Sequence, residues 1–210
     1  FDGDGEIVWQ RSFGEEFGRF QGYGGRTASA LIDEGRVIVN MINGTWGNQG
    51  PPRHRMYALD KRTGDVVWMS TVGTMVADRN TQSNPVLAVI GGQRLVIGGA
   101  ADGRVFALQS RTGKLVWEFR LSKRGINVSP VVDGDVVFIA HSEENVDEGT
   151  LGRVVAIDAT GSGDVTVTHE LWRSDHRVGF PSPMVYDGRL YVVDNSGNLA
   201  ALDTASGEVY

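Results

Sequence analysis

Tyr57-Ala58-Leu59-Asp60-Lys61-Arg62-Thr63-Gly64-Asp65-Val66-Val67-Trp68 decides the reading of this chain, because it recurs. The second copy is Phe106-Ala107-Leu108-Gln109-Ser110-Arg111-Thr112-Gly113-Lys114-Leu115-Val116-Trp117. A third opens Val155-Ala156-Ile157-Asp158-Ala159-Thr160-Gly161 and is stretched by an insertion before Trp172. A fourth runs from Ala200 and Ala201 through Asp203 and Gly207 to Tyr210. Self-similarity at a period of about 45 to 49 residues marks a repeat architecture and outranks local propensity.

A second motif precedes each copy. It reads Ser129-Pro130-Val131-Val132-Asp133-Gly134-Asp135-Val136-Val137-Phe138 and Ser182-Pro183-Met184-Val185-Tyr186-Asp187-Gly188-Arg189-Leu190-Tyr191. Weaker versions run from Asn84-Pro85 through Gly91-Gly92 to Ile97, and from Ser29-Ala30 through Gly35 to Val39. Asp-Gly between two runs rich in valine and aromatics signals a β-hairpin. Each unit therefore reads as four antiparallel strands: A after the Ser-Pro, B after the Asp-Gly, C ending in Ala-Leu-Asp, and D running from the Thr-Gly to the tryptophan. Four strands in about 45 residues is the size of a propeller blade, and no stretch sustains a helical period. The expected fold is an all-β propeller of four-stranded antiparallel blades. Its expected parts are a strand D from a preceding blade at 1–10, blade one at 26–68, blade two at 81–117, blade three at 127–172, and a truncated blade four at 180–210.

Glycine takes positive φ freely, which suits Gly64, Gly113 and Gly207 to the C-to-D turn. The small Ala58, Ala107, Ala156 and Ala201 leave room for a large side chain. Trp9, Trp68, Trp117 and Trp172 are accordingly expected to be structural, each wedged between neighbouring blades on an alanine and turn backbone.

The Ala-x-Asp-x-x-Thr-Gly-x-x-x-Trp string, complete at Ala58–Trp68 and carrying Gln109 in its second copy, resembles the tryptophan-docking motif of the pyrroloquinoline quinone (PQQ)-type β-propeller repeats. The resemblance spans nearly the whole chain. That superfamily includes quinoprotein dehydrogenases, the barrel-assembly lipoprotein of the bacterial outer membrane, and many uncharacterised bacterial propellers. Arg124-Gly125-Ile126-Asn127-Val128-Ser129-Pro130 and His141-Ser142-Glu143-Glu144-Asn145 are most similar to the last group, frequent in planctomycete-like bacteria. The resemblance implies a periplasmic, outer-membrane-associated or secreted location and a ring of seven or eight blades. Because both ends carry the same strand type, this chain is expected to form part of such a ring. A second chain completing the ring, or a leading strand closing a four-bladed one, is the alternative.

Composition sets the outer limits. Glycine is 29 of 210 residues with only 6 prolines, which points to many turns rather than collagen. Without cysteine there are no disulfides, thiolate metal sites or cysteine nucleophiles. A net charge of −6 argues against a general nucleic-acid binder, and no apolar run is long enough for a membrane-spanning helix.

Aligned on the Ser-Pro position, an arginine stands six residues before the proline in three blades, at Arg79, Arg124 and Arg177; blade one has Gly24 there and Arg26 two residues on. Gln82, Asn127 and Phe180 stand three residues before it, with Thr27 in blade one. These segments feed the innermost strand. They belong to the face that D-to-A and B-to-C connections share, near the channel mouth. The guanidinium fork suits planar anions and carboxylates, so Arg26, Arg79, Arg124 and Arg177, with Gln82, Asn127 and His176, are candidates for an anion, cofactor or partner site. The competing reading has each arginine tie down its own loop through carbonyls. Trp46, in the enlarged connection Asn43–Arg55, has no staple role and is a candidate partner contact.

No metal site is expected. Glu143, Glu144, Asp147 and Glu148 match no calcium-loop spacing, and the four histidines have no zinc spacing. No catalytic residue is nominated, since nucleophile elbow, phosphate loop and His-Glu-x-x-His are all missing. The expected function is a non-catalytic scaffold that binds a protein or cell-envelope component through its loop face and channel mouth, without a cofactor. The alternatives are a PQQ-dependent dehydrogenase fragment holding PQQ with calcium, and a carbohydrate-binding accessory domain using Trp46 and Tyr23.

Overall fold

The computed structural model describes residues 1–18, 29–43, 53–74, 82–147 and 149–210. Blade one comprises β1 (Leu31–Asp33), β2 (Arg36–Asn43), β3 (Arg53–Asp60) and β4 (Val66–Thr74). Blade two comprises β5 (Val86–Ile90), β6 (Gln93–Gly99), β7 (Arg104–Gln109) and β8 (Leu115–Arg120). Blade three holds β9 (Val131–Asp133), β10 (Val136–Glu144), β11 (Leu151–Asp158), the short β12 (Gly163–Asp164) and β13 (Glu170–Ser174). Blade four holds β14 (Met184–Tyr186), β15 (Arg189–Val193) and β16 (Leu199–Asp203). Apart from β12, each sheet is an antiparallel meander in chain order, the blade pattern read from the repeats.

Local chemistry sets the turns. The β1–β2 and β14–β15 hairpins carry left-handed residues at Glu34 (φ 52) and Asp187 (φ 50), each followed by glycine, as a tight two-residue hairpin requires. In the C-to-D turns the Asp60 carboxylate accepts from the Arg62 and Thr63 N–H groups, and Gly64 N–H returns to Asp60 O. Asp203 does the same for Ala205, Ser206 and Gly207. In blade two the Gln109 side-chain oxygen accepts from Thr112 N–H, which is why glutamine substitutes for aspartate there.

Strand D also carries a device that the sequence does not announce. Trp68 pairs with Ala58 but Val66 with Leu59; Trp117 pairs with Ala107 but Leu115 with Leu108; Trp172 pairs with Ala156 but Glu170 with Ile157. One residue is extra in each case, at Val67, Val116 and Leu171. Such a bulge re-aims the side chain beside it.

The core is divided among the joints between sheets. One buried cluster joins Ile38, Met56, Ala58 and Trp68 of blade one to Val96, Phe106 and Leu108 of blade two. A second joins Val105, Ala107, Trp117 and Phe119 to Val137, Ile139, Val155 and Ile157. A third joins Phe138, Ala140, Val154, Ala156 and Trp172 to Leu190, Val192 and Leu202. Central strands therefore read as continuous apolar runs, because alternate residues serve opposite neighbours.

Four elements differ from the sequence reading. Residues 1–10 form no strand; the segment instead places Trp9 against blade one, its Nε1 donating to Lys61 O. A one-turn helix, α1 (Phe13–Glu16), follows. It is too short to leave a periodic signal, and Phe13 and Phe17 pack on Tyr57 at ring separations of 5.3 and 4.8 Å. The fourth strand of blade four is reduced to one bridge, Leu202 with Val209. Finally, β12 leaves blade three to pair in parallel with β8 of blade two.

Candidate partner-binding face

Blades are tied together near their innermost strands by a relay of hydrogen bonds. Ser29 N–H donates to Asn84 Oδ1, Asn84 N–H to Ser129 Oγ, and Ser129 N–H to Ser182 Oγ, at 2.6, 2.9 and 3.2 Å. The recurring residue before Pro or Ala thus satisfies the previous blade's backbone. Nothing within one repeat reveals this, because the partner lies a whole repeat away.

Outward from that relay, D-to-A and B-to-C connections interlock on one face. Ser122 N–H donates to Gly103 O and Lys123 N–H to Glu144 O. Val178 N–H donates to His141 O, and Asn195 N–H to Arg177 O. Two buried histidines lie in these strands: Ala101 N–H donates to His54 Nδ1 at 3.2 Å, and His141 lies beside Arg153. Burial lowers His54 to about 3; burial, with Arg153 adding to it, lowers His141 to about 4. Both are neutral in the folded protein at pH 7.

The candidate residues fall into two groups. Arg124 donates through Nε to Glu144 Oε2 at 2.7 Å, crossing to the connection of the next blade. This charge-assisted bond is the first cause holding Glu144 below the usual carboxylate range. Asn127 Oδ1 accepts from Gln82 N–H at 3.2 Å, again between blades. The inner candidates are thus engaged with the protein itself.

Arg177 is presented outward. Its backbone is fixed by Asn195 and by the buried Val178, and Gly179 N–H donates to Asn195 Oδ1 at 2.9 Å. Its guanidinium meets no carboxylate among the described residues, and Phe180, three residues on, is 66% exposed. His176 contacts Ser174 Oγ through Nδ1 at 3.1 Å. Arg26, Arg79, Trp46, Tyr23 and Glu148 lie outside the described residues.

Of the other loop carboxylates, Asp147 is held by Arg153 and Arg173. Burial opposes its ionisation, but the two guanidiniums keep it below the ordinary aspartate range.

The indoles occupy the joints. Trp9, Trp68 and Trp172 donate from Nε1 to Lys61 O, Ser110 O and Thr204 O at 2.9, 3.0 and 2.9 Å. Their rings lie over Gly64, Gly113 and Gly207, so close that an added Cβ would fall 2.7, 2.6 and 2.5 Å from ring carbons. Ala58, Ala107 and Ala156 stand opposite the tryptophan on the same sheet, whereas the glycine belongs to the next. Ala201 is paired with Tyr191. Trp117 is fully buried, but its Nε1 has no acceptor among the described residues.

Residues 2–210 match the family described as "Outer membrane protein assembly factor BamB". The chain belongs to this BamB-like, PQQ-type propeller family. It is 26% identical over 217 residues to the outer membrane protein assembly factor BamB of Yersinia pestis, covering 97% of this chain and 45% of that protein. It is 28% identical over 162 residues to a quinoprotein ethanol dehydrogenase of Pseudomonas aeruginosa, covering 72% of this chain and 23% of the enzyme. The solved structure of BamB from Moraxella catarrhalis superposes with a TM-score of 0.62 at 21% identity, over 86% of this chain and 49% of that one, which speaks to fold alone. The chain thus spans less than half the length of these curated relatives.

Enzymes of the quinoprotein branch hold PQQ with a metal ion, and the described residues do not fit that group. No group of three or more His, Asp or Glu among them is placed to hold a metal. Trp68, Trp117 and Trp172 are packed between sheets, and Trp9 lies on the Gly64 turn of blade one.

Proposed function

We propose that this BamB-like propeller is a non-catalytic scaffold of the bacterial envelope, periplasmic and associated with the outer membrane, that binds a protein partner through the interlocked loop face. The observation that carries this reading is the Arg177–Phe180 segment. A cation and an aromatic ring are held out on backbone that Asn195 and Val178 immobilise, so little ordering entropy remains to be lost on binding. Aromatic and arginine side chains on a rigid support are the usual energetic centres of interfaces. The names of the BamB relatives support a role in outer-membrane protein assembly, and the family's location supports the envelope.

The test is photo-crosslinking in envelope extracts with a crosslinking residue at position 180. We expect one predominant adduct that disappears with Arg177→Glu, while the melting temperature stays unchanged. An adduct indifferent to Arg177→Glu would contradict the reading. Saturable binding of PQQ with calcium, accompanied by dye reduction by alcohols, would overturn the non-catalytic assignment.

A further inference from the structure

Between blades two and three lies a hollow of about 390 Å³ that the partner contact at Arg177 and Phe180 does not use. One wall is the end of β8 and the residue after it, Phe119 to Leu121; the other is the connection after β10, the insertion and β13. Hydrogen bonds hold both walls in place. Leu121 N–H donates to Gly103 O at 3.0 Å, Val165 N–H to Glu118 O at 2.9 Å, and Arg120 N–H to Thr166 Oγ1 at 2.9 Å. The hollow is therefore preformed, and its volume falls in the range of small-molecule sites.

Part of the lining is apolar. Phe119 and Leu121 are buried, Val146 is half-buried, and Val167 is 93% exposed. A lone exposed valine needs no explanation, but this one extends the apolar surface of Phe119 and Leu121 outward. The rest of the lining is charged. Asp147 accepts from Arg153 Nη1 at 2.7 and 2.9 Å and also from Arg173, whose Nη2 donates to Glu170 Oε2 at 2.7 Å. These two guanidiniums and two carboxylates balance. Arg120, the third guanidinium, is exposed and makes no ion pair among the described residues. Its charge reaches Asp164 only through space; the Thr166 hydroxyl and N–H are the first causes holding that carboxyl below the usual range. Among the described residues the hollow thus carries one positive charge more than it pairs, beside apolar surface, in a chain of net charge −6.

We propose that this hollow binds a monocarboxylate with a compact apolar body. The body lies on Phe119, Leu121 and Val167, and the carboxylate accepts from the Arg120 guanidinium. The wall already shows this chemistry, since Asp147 is a carboxylate held by guanidiniums on the same surface. A guanidinium fork matches a planar carboxylate, and one surplus charge suits a single negative charge better than the near-double charge of a phosphate monoester. Two sources carry this chemistry, a free acid and the last residue of a peptide.

NMR titrations of the whole chain with 3-phenylpropanoate and with N-acetyl-phenylalanine separate the sources. Saturable shifts confined to amides of 119–121, 146–147 and 166–173 are expected with at least one, at a Kd on the order of 1 mM or tighter; the tighter binder names the source. The matching primary amides should bind at least about tenfold more weakly, and Arg120→Gln should weaken the acid by a similar factor, through loss of a charged hydrogen bond. Val167→Asp, which removes apolar contact and adds a like charge, should weaken it at least about fivefold. Both variants should keep the parent melting temperature, and Lys114→Gln, a charge removed from the opposite face, should leave the Kd unchanged. Crosslinking at position 180 reports on the protein partner separately, since neither Arg177 nor Phe180 lines the hollow. No saturable shift with either acid, equal binding of the amides, or indifference to Arg120→Gln would each overturn the proposal.

Discussion

The joint between blades one and two and the joint between blades two and three solve one problem differently. In the first, Trp68 lies on Gly113 and its N–H reaches Ser110 O. In the second, the matching turn is interrupted. Gly161 is crowded by His169 and Val165 of its own insertion, with an added Cβ 2.6 and 2.7 Å away, so Trp117 has no glycine seat among the described residues. The insertion compensates by crossing over: Val165 N–H donates to Glu118 O, Thr166 Oγ1 accepts from Arg120 N–H, and Val165 joins the core around Trp117. One indole is fixed by a hydrogen bond on a bare turn, the other by burial under a borrowed strand. The fold therefore requires that the strand-D ring be covered by its neighbour, not that it be covered in one way.

Substitutions should separate the two solutions. Trp117→Ala leaves the largest void, because its ring is wholly enclosed, and should cost about 4 kcal/mol in urea unfolding. Acidification should come next and act on the first joint through His54. Its folded pKa, about 3, lies below the unfolded value of about 6.5. The stability it contributes is thus full above pH 6.5 and is lost as pH falls toward 3. Between about pH 5.5 and 4 this is about 1.4 kcal/mol per pH unit, and His54→Asn should remove that share of the slope from the urea midpoints while leaving the share that His141, lowered to about 4, supplies. Val165→Ala should lower stability by about 2 kcal/mol through the second joint alone. Trp→Phe gives the smallest and sharpest contrast. It should cost about 1 kcal/mol more at Trp68, which loses a made hydrogen bond, than at Trp117, whose N–H has no acceptor among the described residues. Equal costs would erase the distinction between the joints.

The first joint was legible in the sequence because its determinants are local and repeated: Thr-Gly, a small alanine, and tryptophan at fixed spacing. The second was not. Val165 and Thr166 act on β8, about 46 residues earlier, through a parallel pairing that carries no turn signature and occurs once. The candidate face was half legible. Alignment on Ser-Pro found Arg124 and Arg177 at equivalent positions, but only the packed loops show Arg124 engaged with Glu144 while Arg177 is presented outward. The serine relay stayed hidden because each hydrogen bond spans a full repeat and leaves no mark inside one.

The central claim is that the indole of one sheet, pressed on the turn of the next, holds the blades together. Gly113→Ala and Gly134→Ala test it most directly as a pair, read by urea unfolding. Both glycines have left-handed backbone, φ 70 and φ 56, so both substitutions incur a similar backbone cost. Only at Gly113 would the new methyl strike the preceding blade's strand D, at the Trp68 ring (2.6 Å) and at Ser70 Oγ (2.5 Å), whose own share Ser70→Ala measures separately; at Gly134 it meets nothing within 4 Å. Gly113→Ala should be the more destabilising by at least about 2 kcal/mol, with a shift in tryptophan fluorescence that Gly134→Ala lacks. Equal losses of stability would show that the seated ring does not hold the sheets together.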